Sequence, residues 1–177
     1  SIGLTEINTI NAVCVGYEGT IFAATYSNGL YRSTDDGMNW EQMSTSAETG
    51  LKLLYIGGQS VMSGGYGGIL EKTTNNGNSW IPIYNTIFEI TDIVKDSNGN
   101  LYLTSSGRGV MLSADNGTNW NFINTGLPDM NVYSITKTDD GALYAGTNDG
   151  VYSTEIVDPS LIGIPNLISP TNHSIAI

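Results

Sequence analysis

Three octapeptides of one design recur in this chain at a fixed interval, and they limit its fold more than any other feature. They read Ser33-Thr34-Asp35-Asp36-Gly37-Met38-Asn39-Trp40, Thr73-Thr74-Asn75-Asn76-Gly77-Asn78-Ser79-Trp80 and Ser113-Ala114-Asp115-Asn116-Gly117-Thr118-Asn119-Trp120, starting at 33, 73 and 113 and so 40 residues apart. All three tryptophans of the chain fill the same slot. Around each octapeptide the same parts follow in order: an apolar run, a Gly/Asn/Asp turn, an alternating strand, a Gly-led strand, the octapeptide, and a strand opening at its Trp. In the third repeat the predicted strands are 90–95, 101–105, 110–113 and 120–124. A fourth repeat has strands at 132–136, 142–147 and 150–153, and its octapeptide has decayed to Ser153-Thr154-Glu155-Ile156-Val157-Asp158. Four strands in about 40 residues predict a β-propeller blade. A parallel β-helix repeats at shorter spacing, and solenoids of helices or leucine-rich repeats need patterns that are absent here.

Composition agrees with an all-β chain. The 177 residues hold 22 Gly and 10 Tyr with only 13% charged residues, which suits short strands joined by tight turns, because Gly and Asn supply the left-handed positions that hairpins need. Seventeen acidic against six basic residues give a net charge of −11, a field that repels phosphate backbones, so no nucleic-acid partner is expected. No apolar run reaches the length of a spanning helix, so no membrane insertion is expected either. Cys14, the only cysteine, lies in the run Ala12-Val13-Cys14-Val15 and is expected to pack as a small buried hydrophobe.

The pattern Ser/Thr-x-Asp-x-Gly-x-x-Trp resembles the Asp-box, or bacterial neuraminidase repeat, of sialidases, sortilin-like receptors, xyloglucanases and photosystem assembly factors. The fourth repeat, from Gly126-Leu127-Pro128-Asp129-Met130-Asn131-Val132-Tyr133 through Asp140-Gly141-Ala142-Leu143-Tyr144-Ala145-Gly146-Thr147-Asn148-Asp149-Gly150-Val151-Tyr152, is similar to the repeat of two-component-regulator propellers. Such mixed arrays resemble those of large secreted or surface proteins of the Bacteroidetes. The resemblance implies a secreted, cell-surface or periplasmic setting and a non-catalytic propeller that binds or scaffolds a protein or glycan. A segment of a secreted glycoside hydrolase is the alternative. The stretch Ile164-Pro165-Asn166-Leu167-Ile168-Ser169-Pro170-Thr171-Asn172 resembles the first strand of a fibronectin type III or immunoglobulin-like module. The expected organisation is four blades at about 10–50, 51–89, 90–129 and 130–158 within a propeller region 1–158. Residues 159–177 are then a linker or the start of such a module. Most Asp-box propellers have six or more blades, so four form either a small closed ring or an arc of a larger one.

The residues singled out are structural. Ser33, Asp35, Gly37 and Trp40, Thr73, Asn75, Gly77 and Trp80, and Ser113, Asp115, Gly117 and Trp120 are expected to close the turn between the third and fourth strands. The short polar side chains bond backbone N–H groups, Gly takes the left-handed position, and the indole is largely buried. Asn75 stands where the other two have Asp, which a catalytic carboxylate would not tolerate. The acidic turns 96–100 and 138–141 lack the spacing of a calcium loop, having Gly too early and no distal Glu, so no metal or cofactor is expected. Sialidases hold their substrate carboxylate with three arginines, whereas this chain has two, Arg32 and Arg108, both expected on outer solvated strands. His173, the only histidine, lies in the tail, which leaves no His-centred triad. Paired carboxylates for glycoside hydrolysis remain open, since their separation is invisible in sequence.

Propellers bind through loops leading into their innermost strands. Those loops are 45–50, 84–89 and 125–131, with Tyr26, Tyr84 and Phe88 as aromatic residues able to stack on a sugar or anchor a peptide. The fourth repeat lacks an outer strand led by Trp, which leaves an open edge. Part of 156–168 is expected to pair with 151–153, or a second copy to do so, and open blade faces make a homo-oligomer the further partner to expect.

Overall fold

In this computed structural model the described residues are 4, 9–44, 52–139, 141–154 and 167–168. They form four antiparallel sheets of four strands, each a meander in chain order. The first blade holds β1 Ile10–Val15, β2 Ile21–Thr25, β3 Leu30–Ser33 and β4 Glu41–Ser44. The second holds β5 Lys52–Gly57, β6 Ser60–Gly64, β7 Ile69–Thr73 and β8 Ile81–Asn85. The third is built from β9 Ile90–Lys95, β10 Leu101–Ser105, β11 Gly109–Ser113 and β12 Asn121–Phe122, and the fourth from β13 Val132–Lys137, β14 Leu143–Thr147, β15 Gly150–Thr154 and β16 Leu167–Ile168. The architecture is that of four β-propeller blades.

The second strand of a blade shows why this sequence does not make a one-sided sheet. Every residue of β10 is buried, and so are four of the five in β2 and in β6. Strands covered on both faces read as near-continuous apolar and small residues, as Leu-Tyr-Leu-Thr-Ser and Ile-Phe-Ala-Ala-Thr do. The octapeptides join the third and fourth strands, and their first residues Ser33, Thr73 and Ser113 end the third strands opposite Ile21, Val61 and Leu101 of the second strands. The outer strand begins one residue after the Trp in all three cases, at Glu41, Ile81 and Asn121.

The fourth blade departs from the period by one residue. Tyr144 pairs with Ser153 as Phe22 pairs with Arg32 and Tyr102 with Leu112, so Ser153 holds the position before an octapeptide rather than its first place. Its open edge is covered by Leu167–Ile168, with Ser153 opposite Ile168 and Thr154 opposite Leu167. This is the pairing expected of the C-terminal segment.

The chain divides into two compact units, residues 1–93 and 94–177. In the first, blades 1 and 2 pack through Phe22, which is buried and meets Trp80 edge to face at 6.3 Å. In the second, Tyr102, Val110, Ile123 and Leu127 join Val132, Ile135, Leu143, Ala145 and Tyr152 in one buried cluster between blades 3 and 4.

Candidate functional site

The octapeptide turns come first, because their polar groups are the obvious candidates for chemistry. The Ser33 hydroxyl accepts the Gly37 N–H at 2.9 Å and donates to Asp35 Oδ1 at 2.8 Å. Asp35 Oδ1 also accepts the Asn39 N–H at 2.8 Å, and Oδ2 accepts the Asn39 amide at 2.6 Å. Ser113, Asp115, Gly117 and Asn119 repeat this set bond for bond. Thr73 and Asn75 reproduce it with neutral groups, the Ser79 N–H reaching Asn75 Oδ1 at 2.9 Å. The left-handed positions are two per turn, since Asp36, Asn76 and Asn116 precede the glycines at φ of 57°, 54° and 59°. Asx residues tolerate that region better than other side chains do.

Bonds from the Asn39 and Asn119 backbone N–H groups, joined by their side-chain amides, hold the Asp35 carboxyl below the usual range and bring Asp115 to about 2. Such a carboxylate is a committed acceptor and cannot serve as a general acid at neutral pH.

One expectation about this end needs correction, that for Arg32, while the tryptophans sit as equivalents. Trp40, Trp80 and Trp120 occupy equivalent places, and each is partly buried. The Trp40 and Trp120 rings turn back on their own hairpins, whereas Trp80 meets Phe22 of blade 1. The Trp40 and Trp120 Nε1 donate to Gly37 O at 3.0 Å and Gly117 O at 3.1 Å.

Arg32, expected on a solvated strand, is a latch between blades 1 and 2. Its side chain is 13% exposed. Nη1 donates to Asn76 O at 2.5 Å and Asn78 Oδ1 at 2.8 Å, and Nη2 pairs with Glu41 Oε2 at 2.9 Å. The Asn76 amide returns a bond to Thr20 Oγ1 at 3.0 Å. A shallow depression lined by Arg32, Thr34, Asp35, Asn39, Trp40 and Glu41 is therefore largely satisfied from within.

Other sequence candidates are likewise occupied. The Arg108 guanidinium lies 5.9 Å from the centre of the Phe122 ring. Asp96 Oδ1 accepts the N–H groups of Asn98 and Asn100, while Oδ2 accepts the Asn100 amide and the Tyr102 hydroxyl. Among the described residues no three His, Cys, Asp or Glu side chains converge on a metal-sized site. Cys14 is half-buried and burial pushes its thiol up to about 11, which leaves it inert. Glu71 stands out where the sequence gave no signal. Burial raises its pKa, and its Oε2 is buried without a partner. Its neighbours in register are Ser63 and Pro82, on the face of blade 2 whose Val61 lies beside Gly16 of blade 1. That is an interface between blades and not an open cleft.

The opposite end of blades 1 and 2 carries unsatisfied surface. Tyr26, in the loop after β2, and Tyr66, in the corresponding loop after β6, meet edge to face at 5.4 Å with both rings exposed. Tyr66 was not singled out in sequence, although an aromatic residue set in Gly64-Gly65-Tyr66-Gly67-Gly68 is a usable signal. Its hydroxyl pKa is raised by burial and, less, by Tyr26 and Glu89.

The loop after β8 is bound to the Tyr66 loop through its backbone. Thr86 N donates to Gly68 O at 2.8 Å and Ile90 N to Gly65 O at 3.0 Å, and the Thr86 hydroxyl bonds Phe88 O. This leaves Phe88 exposed and Ile87 72% exposed at φ +70°, a conformation that a β-branched residue rarely adopts. Tyr84 lies within β8 opposite Leu70, not in the loop. Of the other two candidate loops, 45–50 falls outside the described residues. The loop 125–131 has Leu127 buried and Asn131 N donating to Asp129 Oδ1 at 2.8 Å, and Met130 O accepts the Gly107 and Gly109 N–H groups that follow β10.

Residues 126–149 match the family model described as two component regulator propeller. No curated protein matches the chain. Among solved structures, the extracellular domain of BT4673 from B. thetaiotaomicron, described as a hybrid two component system, aligns with a TM-score of 0.72 at 19% identity over 98% of this chain and 23% of its own. An ancestral GH74 enzyme aligns at 0.68 and 21% identity over 86% and 23%. YCF48 from Cyanidioschyzon merolae aligns at 0.64 and 12% identity over 86% and 54%. The chain thus spans less than a quarter of the first two, and identities this low establish the propeller fold alone.

Proposed function

We propose that this chain is a non-catalytic binding segment of an extracellular sensor or surface propeller, with octapeptides of the Asp-box kind as its fold-holding turns. The observation that carries the reading is the patch of Tyr26, Tyr66, Ile87 and Phe88, where a strained aliphatic side chain is held out into solvent beside two exposed tyrosines. Backbone strain on exposed apolar residues is costly to keep, and it collects where a ligand is gripped. The polar groups at the other end are consumed by their own turns, which speaks against catalysis there. The two-component-regulator match at 126–149 supports a sensor setting, and the patch suits a protein or glycan ligand.

The test sets the chain on glycan and peptide arrays beside a hydrolysis screen on sialosides and β-glucans. Array binding that is lost in Tyr26→Ala/Tyr66→Ala, with no hydrolysis, is the expected result. Turnover above background would favour the glycoside hydrolase reading instead.

A further inference from the structure

The loop end of blades 1 and 2 differs from the octapeptide end in charge as well as in apolar surface. The cations among the described residues between 9 and 93 are Arg32, Lys52 and Lys72. Arg32 and Lys72 stand beside the octapeptides, opposite Glu41 and Ile81. Only Lys52, opposite Gly64, is at the loop end, and Asp92 neutralises it at 3.6 Å. Glu89 has no such partner among the described residues. It precedes Ile90, whose N–H donates to Gly65 O at 3.0 Å, so its backbone is fixed against the loop that carries Tyr66. Its negative charge is felt at the Tyr66 hydroxyl, after the larger effects of burial and Tyr26.

The neutral polar groups of these loops are used locally. The Thr25 hydroxyl donates to Gly29 O and accepts the Asn28 N–H, both at 2.9 Å. Asn28 O accepts the Gln42 amide at 2.6 Å, and Asn85 Oδ1 accepts the Ile87 N–H at 2.7 Å. The Thr86 hydroxyl is shared by Gly68 O and Phe88 O. Recognition of a sugar needs fixed hydrogen-bonding groups placed around the stacking ring. These loops offer instead two exposed tyrosine rings crossing at 78°, Ile87 and Phe88 held out into solvent, and one carboxylate. An aromatic face attracts a cation, and a carboxylate in the same neighbourhood adds to that attraction.

We infer that the patch of Tyr26, Tyr66, Ile87 and Phe88, with Glu89, binds a peptide segment that carries a Lys or Arg next to a bulky apolar side chain. The cation lies on a tyrosine face with Glu89 as its counter-charge, and the apolar neighbour covers Ile87 and Phe88. The net charge of −11 favours the approach of such a ligand and disfavours an acidic one. This rests on the reading of the patch as a ligand site and narrows its ligand from protein or glycan to one chemistry.

A displayed library of random peptides is panned on the immobilised chain, and the same chain is set on a glycan array. The enriched peptides are synthesised and titrated against wild type, Tyr26→Ala/Tyr66→Ala, Glu89→Gln and Ile87→Asn, each verified as folded by a circular dichroism melt. The expected peptides hold a Lys or Arg beside an aromatic or aliphatic residue. Their affinity should fall roughly tenfold in the tyrosine variant and about threefold in Glu89→Gln, the second difference vanishing at high salt. Ile87→Asn should bind more weakly yet melt no lower than wild type, because Asn adopts the left-handed region more readily than Ile does. Enrichment of neutral or acidic peptides overturns the inference, and so do cationic peptides that bind Glu89→Gln as tightly as wild type. Glycan binding lost in the tyrosine variant, with no peptide enriched, also overturns it but leaves the patch a ligand site. If neither peptide nor glycan binding depends on the two tyrosines, the ligand-site reading fails as well.

Discussion

The octapeptide turns of blades 1 to 3 and the opposite end of blades 1 and 2 are built from residues under different constraints. At the octapeptide end, Gly37, Gly77 and Gly117 each donate an N–H to a hydroxyl at 2.9 Å, and position 35, 75 or 115 always accepts from the residue four places on. At the other end, the loops Tyr26-Ser27-Asn28-Gly29 and Gly65-Tyr66-Gly67-Gly68 share an exposed tyrosine and a closing left-handed glycine and differ in between. One end spends its polar groups on itself, and the other leaves apolar groups unspent. Repetition marks what the fold needs, and departure from it marks what is free to be used.

Four perturbations break or sharpen that contrast. The largest effect is expected of Phe22→Ala, which empties the contact between blades 1 and 2 behind Trp80 and costs about 3–5 kcal/mol in urea unfolding. A loss below about 1 kcal/mol would mean that the octapeptide end does not depend on packing between blades.

Next comes Gly77→Ala set against Gly37→Ala. Both glycines are left-handed, and an L side chain there costs about 1–2 kcal/mol. At Gly77, however, the new Cβ would fall 2.8 Å from the Phe22 ring, whereas at Gly37 the nearest atom is 3.7 Å away. The Gly77 variant should therefore lose more stability, and equal losses would deny the close approach.

Thr73→Val keeps the shape of a buried residue but removes the hydroxyl that serves Gly77 and Asn75. It should cost about 1–2 kcal/mol.

The smallest effect concerns acid. Asp115 is depressed to about 2 in the folded chain, against about 3.9 when unfolded, so its contribution is complete above the unfolded value and is lost as pH falls through the folded one. Asp115→Asn should lower neutral-pH stability slightly, because the charge and the acceptor of the Asn119 amide are lost, and flatten the acid limb between about pH 4 and 2. An unchanged acid limb would show that the carboxylate is not the responsible group.

Much of the octapeptide end was legible because its bonds are local. Ser33, Asp35, Gly37 and Asn39 lie within seven residues, and spacing alone specified their turn. The outer strand of the fourth blade was legible too, since a missing part and an apolar tail implied one another, and Leu167–Ile168 fills the gap. The latch at Arg32 was not, because its acceptor on Asn76 is 44 residues away. The one-residue slip at Ser153 escaped because a degenerate octapeptide has no anchor to count from. Tyr26 was noticed and Tyr66 was not, and only the fold brings them to 5.4 Å.

The contrast between the ends is tested most directly by array binding of Tyr26→Ala/Tyr66→Ala beside Thr73→Val, both measured at a temperature where each variant is folded. The tyrosine variant should lose binding while melting within about 0.5 kcal/mol of wild type, and the threonine variant should melt lower and bind as wild type does. Retained binding in the tyrosine variant, or lost binding in the folded threonine variant, would contradict the division of labour between the two ends.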